Sequence, residues 1–409
     1  MNSAYRPVLA RPGATRLLGT ALVARLPQGM SSLAILLLVH GISHSYAAAG
    51  IAVGVSALMG AISMPLQGRL VDRLGIARVI GPAAVGEALA YVLLGVLGGS
   101  HAGAVLLIAC AALVGALQPP VAPVVRATLR TMFDDHAVRE SAFALEAILQ
   151  EVIWVSGPLF ITVLITLTSP DVSVYALAAI GLGGAMTFLR SPLLKGAGSE
   201  HAQEHRRQSA LRSLDLRWLL LPVGFMGFGL GCLDVGIPSL ALHLGSRPAS
   251  GVLLALWSFG SMAGGLRYGT LKPRGGAGTR YVQLMFANAV FVLPYLLAGS
   301  ILECGICSLI AGLAIAPIFT CQYSVAGRVI LPGTEHEAFS WILSALVAGA
   351  AAGSALSGVA VGAIGSKGPF LLACASASVG ALSSLRFRSR FPDGSSGQQT
   401  APLEELAAA

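Results

Sequence analysis

Five ionisable side chains in this sequence sit deep inside long apolar runs: Arg25, Glu87, Glu146, Glu151 and Asp234. A charge held at the centre of a bilayer costs about 2.5–3.5 kcal/mol on insertion scales, so such residues pair with one another or handle ions and substrates. Arg25 lies roughly 13 Å into its run at 1.5 Å per residue, with Pro27 and Gln28 just after it. A proline frees a backbone carbonyl that a polar neighbour or a bound molecule can use. Two readings of Arg25 stand side by side, a structural pair with an acid and a clamp for a substrate carboxylate. Glu146 and Glu151 are five residues apart, about 500° around a helix, so their carboxylates point about 140° apart and cannot form one acid pair. Glu151 lies roughly 15 Å deep, matching Arg25, and is its expected partner; Glu146 is the next to try. Asp234, in the outer half of its run, is the firmly intramembrane acid of the second half, placed to exchange protons with the outside.

Other chemistries find no support. There is no phosphate-binding loop, no HExxH and no GxSxG, so neither ATP-driven pumping nor hydrolysis has its parts, and no enzyme activity is expected. The six cysteines fall inside apolar runs. Cys304 and Cys307 form a CxxC without a second pair or a nearby histidine, so no metal or other cofactor is expected. His40, His44 and His243 fall near run ends, where imidazoles are solvated, and Glu303 belongs at an outer helix end.

The elements that hold these residues follow from composition. The 409 residues are 55% hydrophobic and 11% charged, with mean hydropathy +0.78. A soluble globular chain cannot cover its surface with so few charges, so the class is an all-α polytopic membrane protein. Twelve apolar runs can be read, near 16–41, 46–67, 79–99, 103–125, 141–168, 173–190, 218–243, 249–270, 281–299, 303–325, 338–363 and 368–387. The first is too long for a signal-peptide core and carries Arg25, so it is kept as a helix. The polar stretch 191–217 reads as a linker between six-helix bundles at 1–190 and 218–390, and 391–409 has the composition of a disordered tail. All of the 26 Lys and Arg residues except Arg25, Arg247 and Lys367 fall on one side of these runs. By the positive-inside rule that side, with both termini, is cytoplasmic. The rule also accounts for the net charge of +8 without a nucleic-acid partner. Arginine far outnumbers lysine, which points to a bacterial chain in the cell membrane.

Between the second and third runs stands Gly68–Arg78, reading GRLVDRLGIAR. With Gly68, Leu70, Asp72, Arg73 and Gly75 in place, it resembles the signature loop of the major facilitator superfamily. The usual basic pair after the second glycine is replaced by Ile76 and Ala77, with Arg78 one position late. The resemblance implies twelve helices in two bundles, alternating access and a cytoplasmic gate. In that family the loop's acid sits near the start of the eleventh helix. Asp72 would then meet the chain near Ala338–Ser340, while Arg69, Arg73 or Arg78 would stand between it and Glu335 and Glu337. Third helices pack peripherally in this fold, so Glu87 is expected to be a packing residue. The stretch from Gly264 to Gly269, followed by Lys272, Arg274 and Arg280, sits where a duplication would place a degenerate second copy of the loop, without its acid. Gly157-Pro158 resembles the core of a fifth-helix motif of proton-coupled drug exporters in the superfamily, without its flanking glycines. Gly349 and Gly353 have the spacing of close helix packing. The expected function is therefore that of a monomeric secondary transporter driven by a proton gradient and exporting a small, largely apolar compound. Uptake of a sugar or organic acid is the alternative, and a non-transporting membrane sensor is the alternative of another class.

Overall fold

The computed structural model describes residues 5–100, 102–195, 209–270 and 276–388. The middle of the 191–217 linker, the stretch with Lys272 and Arg274, and the 391–409 tail lie outside the described residues. A short helix α1 (Arg6–Ala10) precedes α2 (Ala14–Ser43), α3 (Tyr46–Leu74), α4 (Ile76–Gly99), α5 (Ala104–Leu117), α6 (Val121–Met132), α7 (His136–Leu167) and α8 (Pro170–Leu189). After a short α9 (Pro192–Lys195) come α10 (Leu214–His243), α11 (Arg247–Gly269), α12 (Ala277–Val292), α13 (Ile301–Gly312), α14 (Ile315–Val329), α15 (Glu335–Ile364) and α16 (Gly368–Ser384).

Eleven spans among the described residues are long and apolar enough to cross a membrane. Two of them are composite. Gln118 ends α5 because Pro119 and Pro120 supply no backbone donors, and α6 resumes at Val121. Likewise α13 and α14 form the tenth span. The ninth expected run is α12 closed by a 3₁₀ turn, Leu293–Leu296, that contains Pro294, which leaves the α-helical part too short for that measure. Apolar side chains such as Leu89, Leu159, Leu297 and Val359 are exposed around the outside, as a lipid-facing surface requires.

Several helices run past the ends of their apolar runs, because hydropathy stops at a charge and helical hydrogen bonding does not. The clearest case is Gly68–Arg78. It is hardly a loop: α3 continues to Leu74, Gly75 turns the chain at φ +91°, and α4 starts at Ile76. A glycine suits that left-handed backbone. Glu303, expected at a helix end, stands in the first turn of α13 and completes a capping box with Ser300.

The chain's two helical bundles meet unevenly. At the end where basic residues gather, here called the basic end, one continuous apolar core joins residues of both bundles, among them Val125, Phe143, Ile318 and Phe339. Toward the other end each bundle has its own core, around Ile35, Tyr91 and Leu177 in the first and around Ile237, Tyr295 and Phe370 in the second. The bundles are thus welded at the basic end and parted beyond it. Helix α3 packs on α15 and α7 on α11 along the join. Close approach of α2 and α7 depends on glycine, since a Cβ at Gly157 would stand 2.5 Å from the Gly29 carbonyl. Gly157-Pro158 is therefore a crossing point. Gly349 and Gly353 do the same for α15 against Gly224 and Phe228 of α10.

Candidate functional site

Arg25 is buried, as its depth requires, but its partner is Glu146 rather than Glu151. Its Nη1 donates to Glu146 Oε1 at 3.0 Å, and its Nη2 donates to the side-chain oxygen of Gln150. Equal depth does not decide a contact. Glu146 and Gln150 are four residues apart and share one face of α7, whereas Glu151 is turned about 100° from Gln150. Glu146 is fully buried and has a second cation, Arg126, whose Nε donates to Oε2 at 3.3 Å. The sequence reading put Arg126 on the charged surface. It lies instead inside the protein on α6, with its guanidinium 4.3 Å from the ring centre of Tyr323 on α14. One signal was available: Arg126 follows an apolar segment interrupted only by Gln118 and three prolines, so the helix behind Pro119 and Pro120 could carry it inward.

Above this layer, on the side away from the basic end, lies a cavity of about 110 Å³. It is lined from α2, α3, α4 and α5 and closed by Trp154 of α7 and Leu343, Ser344 and Val347 of α15. Gln28 and Glu87 line both it and a smaller chamber beneath that reaches Arg25. Glu87 is thus a cavity residue, which corrects its expected packing role; α4 packs on α8 and α5 with Glu87 on the cavity wall beside Gln28 of α2. Glu151 is buried at the join between the bundles with the Ser261 hydroxyl of α11 beside it, and Asp234 of α10 is near enough to repel it. Asp234 itself is exposed. Among the described residues, no ion pair involves Glu87, Glu151 or Asp234.

Below the charged layer the bundles are closed by Phe143, Phe319, Tyr323 and Phe339, whose rings meet at 6.0–6.5 Å. Then come two polar seams. In the first, the Asp72 carboxylate accepts the backbone N–H groups of His336 (3.1 Å) and Glu337 (2.8 Å) at the start of α15, and the His336 ring Nδ1 stands 2.7 Å from it. The contact falls two residues before Ala338 because α15 begins at Glu335. Gly68 lets the helices close up, since a Cβ there would stand 2.6 Å from the His336 carbonyl oxygen. Arg69 faces Glu337 at 3.9 Å. Glu335 pairs with Arg130 of α6 at 2.9 Å, not with Arg73 or Arg78, which are exposed. Arg130 also donates to the Gly327 carbonyl at 2.8 Å.

The second seam joins α7 to α11 and α12. Glu140 accepts from both Nη groups of Arg280, one at 2.9 Å, and from the Tyr268 hydroxyl at 3.0 Å. Tyr268 and Arg280 belong to the degenerate second loop copy, and the acid it lacks stands on the opposing helix. Tyr5, just before α1, adds a hydrogen bond to the Gly265 carbonyl at 3.3 Å.

A sequence model of the Major Facilitator Superfamily matches residues 17–336. The chain belongs to the major facilitator superfamily. Solved structures agree on the fold. The human organic anion transporter MFSD10 (TETRAN) aligns with TM-score 0.73 at 17% identity, over 92% of this chain and 99% of that one. A bacterial homologue of the iron transporter ferroportin, in an outward-facing state, gives TM-score 0.73 at 14% identity, over 92% of this chain and 99% of that one. The same homologue soaked with iron gives 0.73 at 13%, over 93% and 100%. Identities this low speak for fold and not for substrate. Among curated proteins none matches the sequence. The protein is accordingly a multi-pass membrane transporter of this superfamily.

Proposed function

We propose that the protein is a proton-coupled exporter of a small, largely apolar compound, working by alternating access in a bacterial cell membrane. The basic end and both termini face the cytoplasm, and bundles spanning about 1–190 and 218–390 rock about the cavity. Glu151 and Asp234 carry the coupling. The observation that supports this reading most is the contrast among the membrane-depth acids. Glu146 is held by two arginines, while among the described residues no cation pairs with Glu151 or Asp234. A carboxylate without a counter-charge at that depth favours taking up a proton, and alternating access would present it first to one side and then to the other. The seams would form the cytoplasmic gate, closed in this conformation.

Transport of a compound panel in everted vesicles, with proton flux read alongside, tests the proposal. Substrate accumulation that collapses with the proton gradient is expected, and accumulation that ignores it overturns the coupling. Asp234→Asn or Glu151→Gln should abolish uphill export while sparing binding. If both variants still pump uphill, the coupling acid is elsewhere. One observation favours a second reading, uptake of an organic acid. Two guanidiniums share one carboxylate, and Arg25 Nε and Gln150 Nε2 are buried donors with no partner.

A further inference from the structure

We propose that Glu87 selects the substrate, and that what it selects is a protonated amine carried on a small apolar body. The inference rests on the export reading and supplies its substrate class. Among the described residues that line the main cavity, Glu87 alone bears a formal charge. Ser31, Ser56, Gln28 and Gln118 are neutral hydrogen-bonding groups, and Tyr91 and Trp154 present aromatic surface. Such a site, with mostly apolar walls, a few fixed polar groups and one acid, is built for an apolar ligand with a cationic end. Aromatic faces attract cations and add to that preference.

Among the described residues Glu87 has no counter-ion. Arg25 of α2 borders the chamber beneath it, but both Nη groups of Arg25 are turned to Glu146 and Gln150. From α8 the nearest residue is Gly181, which carries no side chain. On α4 itself the titratable neighbour is Tyr91, one turn away, and the cavity faces of α3 and α5 contribute no ionisable group. An anion would meet a carboxylate there, and a neutral compound would leave that carboxylate uncompensated. A protonated amine satisfies it. A proton satisfies it equally, so amine and proton exclude one another at the same two oxygens, and the arrival of one favours the release of the other. The volume sets the size. An engineered apolar cavity of about 150 Å³ accepts benzene, so this smaller cavity of about 110 Å³ suits a short aliphatic amine with no ring.

The test is equilibrium dialysis of the purified full-length protein in detergent, with no gradient, against three ligands of one shape. These are butylamine, which stays protonated from pH 6 to 8, 1-butanol and butanoate. The amine should bind about tenfold tighter than the other two, the loss expected when a hydrogen bond to a charged group is removed. Its affinity should fall as pH drops from 8 to 6, because protons compete for the site. Glu87→Gln should lose both the preference and the pH dependence, and Glu87→Asp should keep them. The proposal is overturned if the wild type does not bind the amine, binds the alcohol or the acid as well, or shows no pH dependence. It is also overturned if Glu87→Gln retains the preference. Should Glu87→Gln fail to fold, the wild-type series and Glu87→Asp still decide. If the amine preference holds while proton-driven export fails in vesicles, the export reading falls and this site stands.

Discussion

The two seams at the basic end join the same bundles with opposite arrangements of charge. Between α3 and α15 the acid, Asp72, stands in the last turn of α3 and is received by backbone N–H groups at a helix start. Between α7 and α12 the acid, Glu140, comes from the helix and is received by a guanidinium that grips both its oxygens. Helix starts carry partial positive charge and unpaired donors, so a carboxylate there gains about 0.3–1 kcal/mol, rising to about 2 when partly buried. A two-pronged arginine–carboxylate pair is stronger but demands a fixed geometry. The first seam can therefore tolerate sliding and the second cannot. If the seams are the gate proposed above, one side would yield early and the other would hold until the geometry breaks.

The largest effect should come from the charge cluster above both seams. Glu146→Gln leaves Arg25 and Arg126 buried with no counter-charge, and breaking a buried pair in this way costs about 3–5 kcal/mol. Thermal unfolding in detergent should show the loss. Because Arg25 meets Glu146 and not Glu151, a double-mutant cycle of Arg25→Met with Glu146→Gln should give a large coupling. The cycle with Glu151→Gln should be additive, and the reverse result would sink the assigned pairing.

Next in size is the rigid seam. Glu140→Gln strands Arg280 against Tyr268 and should destabilise the closed gate by about 3 kcal/mol, with Arg280→Gln in the same background adding little. Strictly additive losses would show that the pair is not a unit. Smaller still is Asp72→Asn, which keeps the shape and removes the charge at the helix start, for about 1 kcal/mol. Spin-label distances between Val71 and Ala338 should broaden toward the open gate while the fold survives. An unchanged distribution would reduce Asp72 to a local cap. Least is Arg69→Gln. With Arg69 about 39% exposed and 3.9 Å from Glu337, the change should cost no more than about 0.5 kcal/mol and vanish at high salt. A larger loss in the same distance measurement would mean that the first seam also depends on a fixed ion pair.

Much of this architecture was legible in the chain itself. The apolar runs placed the spans, since only a helix can satisfy its own backbone in lipid. Gly68, Leu70, Asp72, Arg73 and Gly75 carried the family resemblance, and it was that resemblance that pointed Asp72 to the start of α15. The one-sided distribution of arginine and lysine marked the end where the bundles are welded. What only the tertiary structure decided were the partners. Hydropathy measures how deep a residue lies and averages over the circumference of its helix, so Glu151, matched to Arg25 in depth, was expected as its mate ahead of Glu146. The rotation of α7 chose between them, and contacts such as Gly29 against Gly157 set that rotation. Arg126 was counted as surface because a charge ends an apolar run, yet α6 continues past the proline break and carries it to Glu146. Glu87 was given to packing because third helices pack peripherally in the resembled family, yet here it lines the cavity. Depth is written along one helix; azimuth and tilt exist only once helices pack.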